Sequence, residues 1–328
     1  MKKRMMKIMC CFVFGGAFLL LLPTIVLSQS DCLACICGSP TPTPTPCPTP
    51  CSTTRSSIQD AIRYAGNWST ISVTGTCQEN IEIASLHNGI TLLAVGTAEI
   101  SGPAPTLPTV RVGGDNITIK GFTITGGQHG IFVYRNGNVI IDGNTIESTG
   151  GHGIGLENSA TARILNNTIR NNQYGDGIRI NENSSARIGV KYPFDTSAQR
   201  NTIEHNAGNG ITVLNSSSAL IVGNTISENA GDGIKVARVS QADISSNTID
   251  SNNGNGILVT QNSGVNLGND KGDTIFDRPN TTTIENGLFG LKGTIGGYAD
   301  GWLGTLDGLR GRVFFDLRSI NSTRPWLW

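Results

Sequence analysis

The sequence predicts an all-β protein, a right-handed parallel β-helix, and three observations carry that prediction. A unit of about 23 residues recurs in two independent phases. Each unit holds three short apolar runs of period two and no helical run, so it makes one three-strand coil rather than a leucine-rich or helical repeat. The composition agrees: 42 glycines in 328 residues are roughly double the usual share of about 7%, beside few aromatics and many Asn, Thr, Ser and Ile. That mixture suits short strands joined by tight turns.

Taken in chain order, the N-terminus reads as a secretory signal over residues 1–28. Lys2, Lys3, Arg4 and Lys7 precede the apolar run Ile8 to Leu22, then Pro23 and the small-residue site Val26-Leu27-Ser28. An uncleaved anchor is the alternative, and the run is barely long enough to span a bilayer. A membrane would then be a partner only through this segment. Removing those four cations leaves 20 basic residues against 24 acidic, net −4. The balance argues against nucleic acid as a partner. Export to a secreted, periplasmic or cell-surface location gives the cysteines an oxidising setting. Cys32, Cys35, Cys37, Cys47, Cys51 and Cys77 are disulfide candidates with 15 possible pairings. Cys32-x-x-Cys35 and Cys47-x-x-x-Cys51 also have metal-ligand spacing, although no histidine lies in the cluster. Residues 29–53 form a linker in which Pro40 to Pro50 alternates Pro with Thr or Cys, an extended and stiff polyproline II spacer.

The β-helix is expected over 54–292. It opens with a capping helix: Ser56 stands three residues before Gln59, and Ile58, Ala61, Ile62 and Ala65 form one apolar stripe. A solenoid needs such a lid over its first core and strand edge. Asn-Thr-Ile then recurs at Asn144, Asn167, Asn201, Asn224 and Asn247. Gly-Ile recurs at Gly130, Gly153, Gly177, Gly210, Gly233 and Gly256, in steps of 23, 24, 33, 23 and 23 residues. Coils stacked about 4.8 Å apart align their Ile, Val and Leu inward. The recurring Asn and Gly are expected at two corners in left-handed conformation, with the Asn amides stacked as a ladder. The 33-residue step carries an insertion, Val190 to Arg200, and a similar lengthening follows Gly264 to Gly268. Both should leave the same corner. The count comes to nine or ten coils, and residues 293–328 read as a C-terminal cap or tail.

The unit Asn224-Thr225-Ile226-Ser227-Glu228-Asn229-Ala230-Gly231-Asp232-Gly233-Ile234 resembles the parallel β-helix repeat of the pectin-lyase-like superfamily. The opening Ser57 to Ile62 and Thr70 to Thr76 resemble that superfamily's first coil. The resemblance implies the fold. For activity it implies a broad set: polysaccharide lyases, glycoside hydrolases, uronate epimerases, adhesins and members without known activity.

The position before each Gly-Ile holds His129, His152, Asp176, Asn209, Asp232 and Asn255. Stacked, these make a polar column. His129, His152, Asp176 and Asp232 are the nearest the chain comes to catalytic candidates; turn chemistry, in which Asp, Asn and His tolerate left-handed backbone, is the plainer reading. Two residues beyond each Gly comes an outward position holding Phe132, Gly155, Arg179, Thr212, Lys235 and Leu258, followed two further on by Tyr134, Glu157 and Asn181. Glu157, Arg179 and Lys235 are candidate ligand-binding residues, and Glu157 and Arg179 are placed to approach each other on neighbouring coils. No catalytic set of the superfamily is matched. Asn-Thr is followed by Ile in each of the five Asn-Thr-Ile copies rather than by Asp, and Asp-Pro-His-Asp is absent. Asn269, Asp270 and Asp273 could hold calcium but lack EF-hand spacing; no other cofactor is expected. Trp302, Trp326 and Trp328 could form a sugar-stacking patch. The reading reached is a non-catalytic exported β-helix that binds a polysaccharide or cell-surface glycan, or serves in the cell envelope. An enzyme of the superfamily on the polar-column face is the rival. A periplasmic maturation protein of the copper-enzyme accessory type, which uses a similar repeat, is the third.

Overall fold

The computed structural model describes residues 24–25, 57–192, 194–268 and 274–324. The predicted linker, every candidate cysteine except Cys77, the calcium candidates Asn269, Asp270 and Asp273, and Trp326 and Trp328 lie outside them, as does nearly all of the signal segment. Cys77, buried in the strand Thr70–Gln78, is disulfide-bonded. No helix among the described residues is long and apolar enough to cross a membrane.

The chain is a right-handed parallel β-helix of about eleven turns. Every pairing between named strands is parallel, and strands gather into an eighteen-stranded and a ten-stranded sheet. A typical coil gives one strand to the smaller sheet, such as Ile131–Val133, and two to the larger, such as Asn138–Asp142 and Thr145–Glu147. Register is kept residue for residue: Ile146, Ile169, Ile203, Ile226 and Ile249 stack on one another, each fully buried. Each such isoleucine contributes about 1.5–3 kcal/mol through burial. The coils run past the expected boundary at 292. Leu291–Thr294, Tyr298–Trp302, Val313–Phe315 and Ile320–Arg324 all continue the two sheets, although their sequences have left the repeat.

Helix α1 (Ile58–Tyr64) covers the first coil with Ile58 and Ile62 fully buried. Its N-cap is Ser57, one residue beyond the expected Ser56, and the Ser57 hydroxyl accepts from Asp60 N–H at 3.0 Å. Glu79 accepts from the N–H of Ile58 and Gln59, at 2.7 and 3.1 Å. Gln59 does not close a capping box; its amide pairs with both backbone groups of Glu82, as an added strand would.

The corners differ from expectation in an instructive way. The Asn ladder exists: Nδ2 of Asn144, Asn167, Asn201, Asn224 and Asn247 each donates to the next Asn Oδ1 at 2.8–3.1 Å, ending on Asn280. None of these Asn is left-handed. The residue before four of them is, at Gly143, Asn166, Gly223 and Ser246, and the Asn side chains turn inward, where they cap backbone groups. The Gly of Gly-Ile is not left-handed either. It is there because space is lacking: a Cβ on Gly177 would lie 2.5 Å from Ile203 Cγ2 and 2.8 Å from the Gly210 carbonyl. Two further ladders line other corners. Asn172, Asn206, Asn229, Asn252 and Asn286 repeat the amide chain at another corner, and Ser184, Ser217, Ser240 and Ser263 each accept the N–H of the preceding rung.

Candidate functional site

The outward face of the ten-stranded sheet collects the residues singled out in the sequence. Along its edge, His129, His152, Asp176, Asn209, Asp232 and Asn255 form a column one coil apart. None has positive φ, so turn chemistry is not what selects them. Each offers a side-chain acceptor to the next rung. His152 N–H donates to His129 Nδ1 at 3.0 Å, Asp176 N–H to His152 Nδ1 at 2.8 Å, and Asn209 N–H to Asp176 Oδ1 at 2.8 Å. Asp232 N–H then donates to Asn209 Oδ1 at 2.8 Å and Asn255 N–H to Asp232 Oδ1 at 2.7 Å. A short acceptor is the common property of His, Asp and Asn here.

These bonds fix the chemistry of the column. With Nδ1 accepting, each imidazole is neutral and carries its proton on Nε2. Burial holds His129 below the ordinary imidazole range, with Arg179 adding to the effect. Burial likewise brings His152 down to about 4, outweighing the Asp176 carboxylate that favours its charged form. Burial pushes Asp232 up, against its bonds from Asn255 and the field of Lys235 and Lys292. The two His rings stack at 5.1 Å and 5°, and His129 also stacks on Phe132 at 5.5 Å.

Rings and cations cover the strands themselves. Phe132 lies beside Tyr134 at 6.2 Å and is half-buried, its ring packed over Gly155, where a Cβ would lie 3.1 Å from the ring. Arg111 sits 4.1 Å over the Tyr134 ring, whose hydroxyl donates to Glu82 at 2.7 Å. Arg179 reaches Asp176 at 3.8 Å. It does not meet Glu157, because the register sets Arg179 against Gly155, and Glu157 instead accepts from Asn181 Nδ2 at 3.3 Å. Lys235 stands between Thr212 and Leu258. Further along the same sheet Lys292 lies 5.9 and 5.8 Å from the Phe289 and Phe314 rings, a cluster that the sequence hid beyond the end of its repeat. Trp302 is on the other sheet, paired with Arg324.

The fold and its ladders define a parallel β-helix protein. Solved structures agree in fold. The crystal structure of pectate lyase Pel9A matches with a TM-score of 0.57 at 14% identity, over 81% of this chain and 74% of that one. A single mutant of the periplasmic alginate epimerase AlgG matches at 0.51 and 15%, over 82% and 83%. The alginate lyase from Paenibacillus sp. str. FPU-7 matches at 0.50 and 19%, over 80% and 95%. A comparison with curated proteins finds no match. A family model, described as periplasmic copper-binding protein (NosD), matches residues 52–270, and the chain belongs to that family. It is a periplasmic or secreted protein.

The family's description implies copper, and the face does not fit it. Imidazole and thiolate or thioether sulfur are the natural copper ligands. The Nδ1 lone pairs of His129 and His152 are occupied by backbone N–H groups and their Nε2 atoms are protonated, so neither ring offers a donor atom without breaking a rung. No group of three or more His, Cys, Asp or Glu converges among the described residues. The four methionines all lie within the first nine residues of the sequence.

Proposed function

We propose that the protein is a non-catalytic periplasmic β-helix that binds a glycan on the outward face of its ten-stranded sheet. One observation carries the reading: the groups that could act as acid or base, His129, His152, Asp176 and Asp232, each spend an acceptor on the next coil. A general base must accept a proton from substrate; the Nδ1 atom of each imidazole and one oxygen of each Asp are committed to the scaffold, and the other Asp176 oxygen faces Arg179. What remains for a ligand is the half-buried Phe132 ring over Gly155, with Arg179 on the next coil and Lys235 two coils further along the same line. Rings with polar groups at their rim suit sugar rings, which present apolar faces and hydroxyl edges. The enzymes with the same fold named above support a saccharide as the ligand class.

The test is a glycan-array screen of the mature chain, with mass spectrometry of every bound glycan after prolonged incubation. The expected result is binding of intact glycan, weakened about three- to tenfold in Phe132→Ala, the loss of one stacking contact. Recovery of cleaved, unsaturated or epimerised glycan would overturn the non-catalytic reading.

A further inference from the structure

The eighteen-stranded sheet carries a second concavity on a different face of the solenoid. A groove of about 510 Å3 runs along the coils from Asn138 to Asp243, and a smaller one of about 290 Å3 continues it toward Trp68; the two share Asn138 and Arg163. Strand register makes the floor. Thr118, Ile140, Arg163, Arg187, Leu220 and Asp243 stand in one outward line, a coil apart. Beside it runs a second line of hydroxyls and amides, Thr161, Ser185, Ser218 and Gln241.

Two features of this groove are unexplained by folding. Arg163 makes no hydrogen bond or ion pair among the described residues, and its Nε is buried without a partner. A buried donor left unpaired costs stability, so its retention needs a reason outside the fold. Arg187, one coil on, has no carboxylate partner either; its guanidinium makes one bond, from Nη1 to the Lys191 carbonyl at 3.2 Å, at the base of the 190–200 insertion. At the other end Trp68 is 50% exposed in a left-handed conformation, its ring held flat against Gly89, where a Cβ has no room.

We propose that this groove is a second binding site, for an extended saccharide bearing carboxylates, with Arg163 and Arg187 as its anion-binding residues and Trp68 as a stacking platform. Two guanidiniums about one inter-strand spacing apart present planar donor forks to successive carboxylates. The ligand is a saccharide rather than a peptide because the backbone of every floor strand is spent in the sheet, leaving only hydroxyls, amides and a ring to meet it. A polyphosphate is disfavoured by the acidic balance of the mature chain. The proposal shares with the preceding section only the ligand class; the face and the residues are different.

Calorimetry on the mature protein decides it, using a uronic-acid hexasaccharide and its carboxyl-reduced neutral counterpart as probes. The wild type should prefer the acidic probe. Arg163→Gln with Arg187→Gln should weaken it at least about tenfold, the worth of one charged hydrogen bond or more, and flatten the salt dependence. The neutral probe should be unaffected, and Arg163→Lys should restore only part of the loss. Arg163→Gln alone should melt no lower than wild type, since no native bond is lost. No acidic preference in the wild type, or full affinity in the double variant, overturns the proposal. Loss confined to Phe132→Ala would uphold the ten-stranded face and overturn this groove; loss confined to the Arg variants would do the reverse.

Discussion

Asn224→Ala tests the ladder that joins the coils. Asn224 is fully buried; its Oδ1 accepts from Asn201 N–H at 3.2 Å and Asn201 Nδ2 at 2.8 Å, and its Nδ2 donates to Asn247 Oδ1 and to the carbonyls of Ile188 and Val222. Alanine leaves the two Asn201 donors without that acceptor in a site too tight for easy rearrangement. At about 1–3 kcal/mol for each buried donor so orphaned, the change should cost about 2–6 kcal/mol. The carbonyls keep their sheet context, which argues for the lower half of that range. Guanidinium unfolding followed by far-ultraviolet circular dichroism measures it, with Gln173→Ala, an exposed side chain, as a control expected within about 0.5 kcal/mol of wild type. A loss below about 1 kcal/mol would refute the reasoning and mean that neighbouring coils close over the gap. Because repeats are coupled chiefly to their neighbours, amide exchange should show the loss centred on the coils of Asn201 and Asn247.

Other consequences can be checked alongside. His152 has its pKa depressed to about 4, so the folded state favours the neutral ring: the stability it contributes is present above the ordinary value near 6.5 and is lost as pH falls toward 4. His152→Asn keeps a rung acceptor without a titrating ring, and should flatten the stability profile across that window in acid titrations of the melting temperature. Asp232 has its pKa raised by burial, so ionisation costs stability once pH rises past the unfolded value of 3.8 and through the folded one. Asp232→Asn, matching the rungs at Asn209 and Asn255, should therefore raise the melting temperature at pH 7, and a lower one would contradict the assignment. Gly177→Ala should cost about 1–3 kcal/mol by overpacking against Ile203. Gly143→Asn should be tolerated within about 0.5 kcal/mol, since its left-handed corner opens on empty space and Asn166 already occupies the equivalent place.

Periodicity made the architecture legible. Asn144 to Asn247 and Gly130 to Gly256 announced the coil, its period and its amide ladder, because stacking forces like residues into like environments. The conformations behind those letters were not legible. Asn, Gly and Asp serve left-handed turns, close approaches and acceptor rungs alike, and only the neighbouring coil decides which. For Gly177 it is Ile203 that decides; for Asp176 it is the N–H of Asn209. The same ambiguity concealed the roles in the candidate site. The histidines stood out in the sequence as bases, whereas their lone pairs belong to the scaffold. Glu157 and Arg179 looked adjacent by spacing, but strand pairing keeps register and sets each against a different neighbour. Arg163 gave no signal at all, since an arginine without a partner can be recognised only once its surroundings are known.

The two insertions leave the same corner, before Asn201 and before Asn280, and they meet. Val190 of the first and Ile275 of the second pack on Val222 of the coil between, forming an apolar cluster apart from the main core. Coils that resemble one another as closely as those at Asn201, Asn224 and Asn247 could trade places: a chain slipped by one full turn would still stack isoleucine on isoleucine and asparagine on asparagine. The insertions break that degeneracy. A slipped chain would bring the loops to the wrong separation, forfeit the Val190–Val222–Ile275 contact and expose its members. Uneven spacing thus gives a nearly periodic molecule a single solution, as a notch gives a key one orientation.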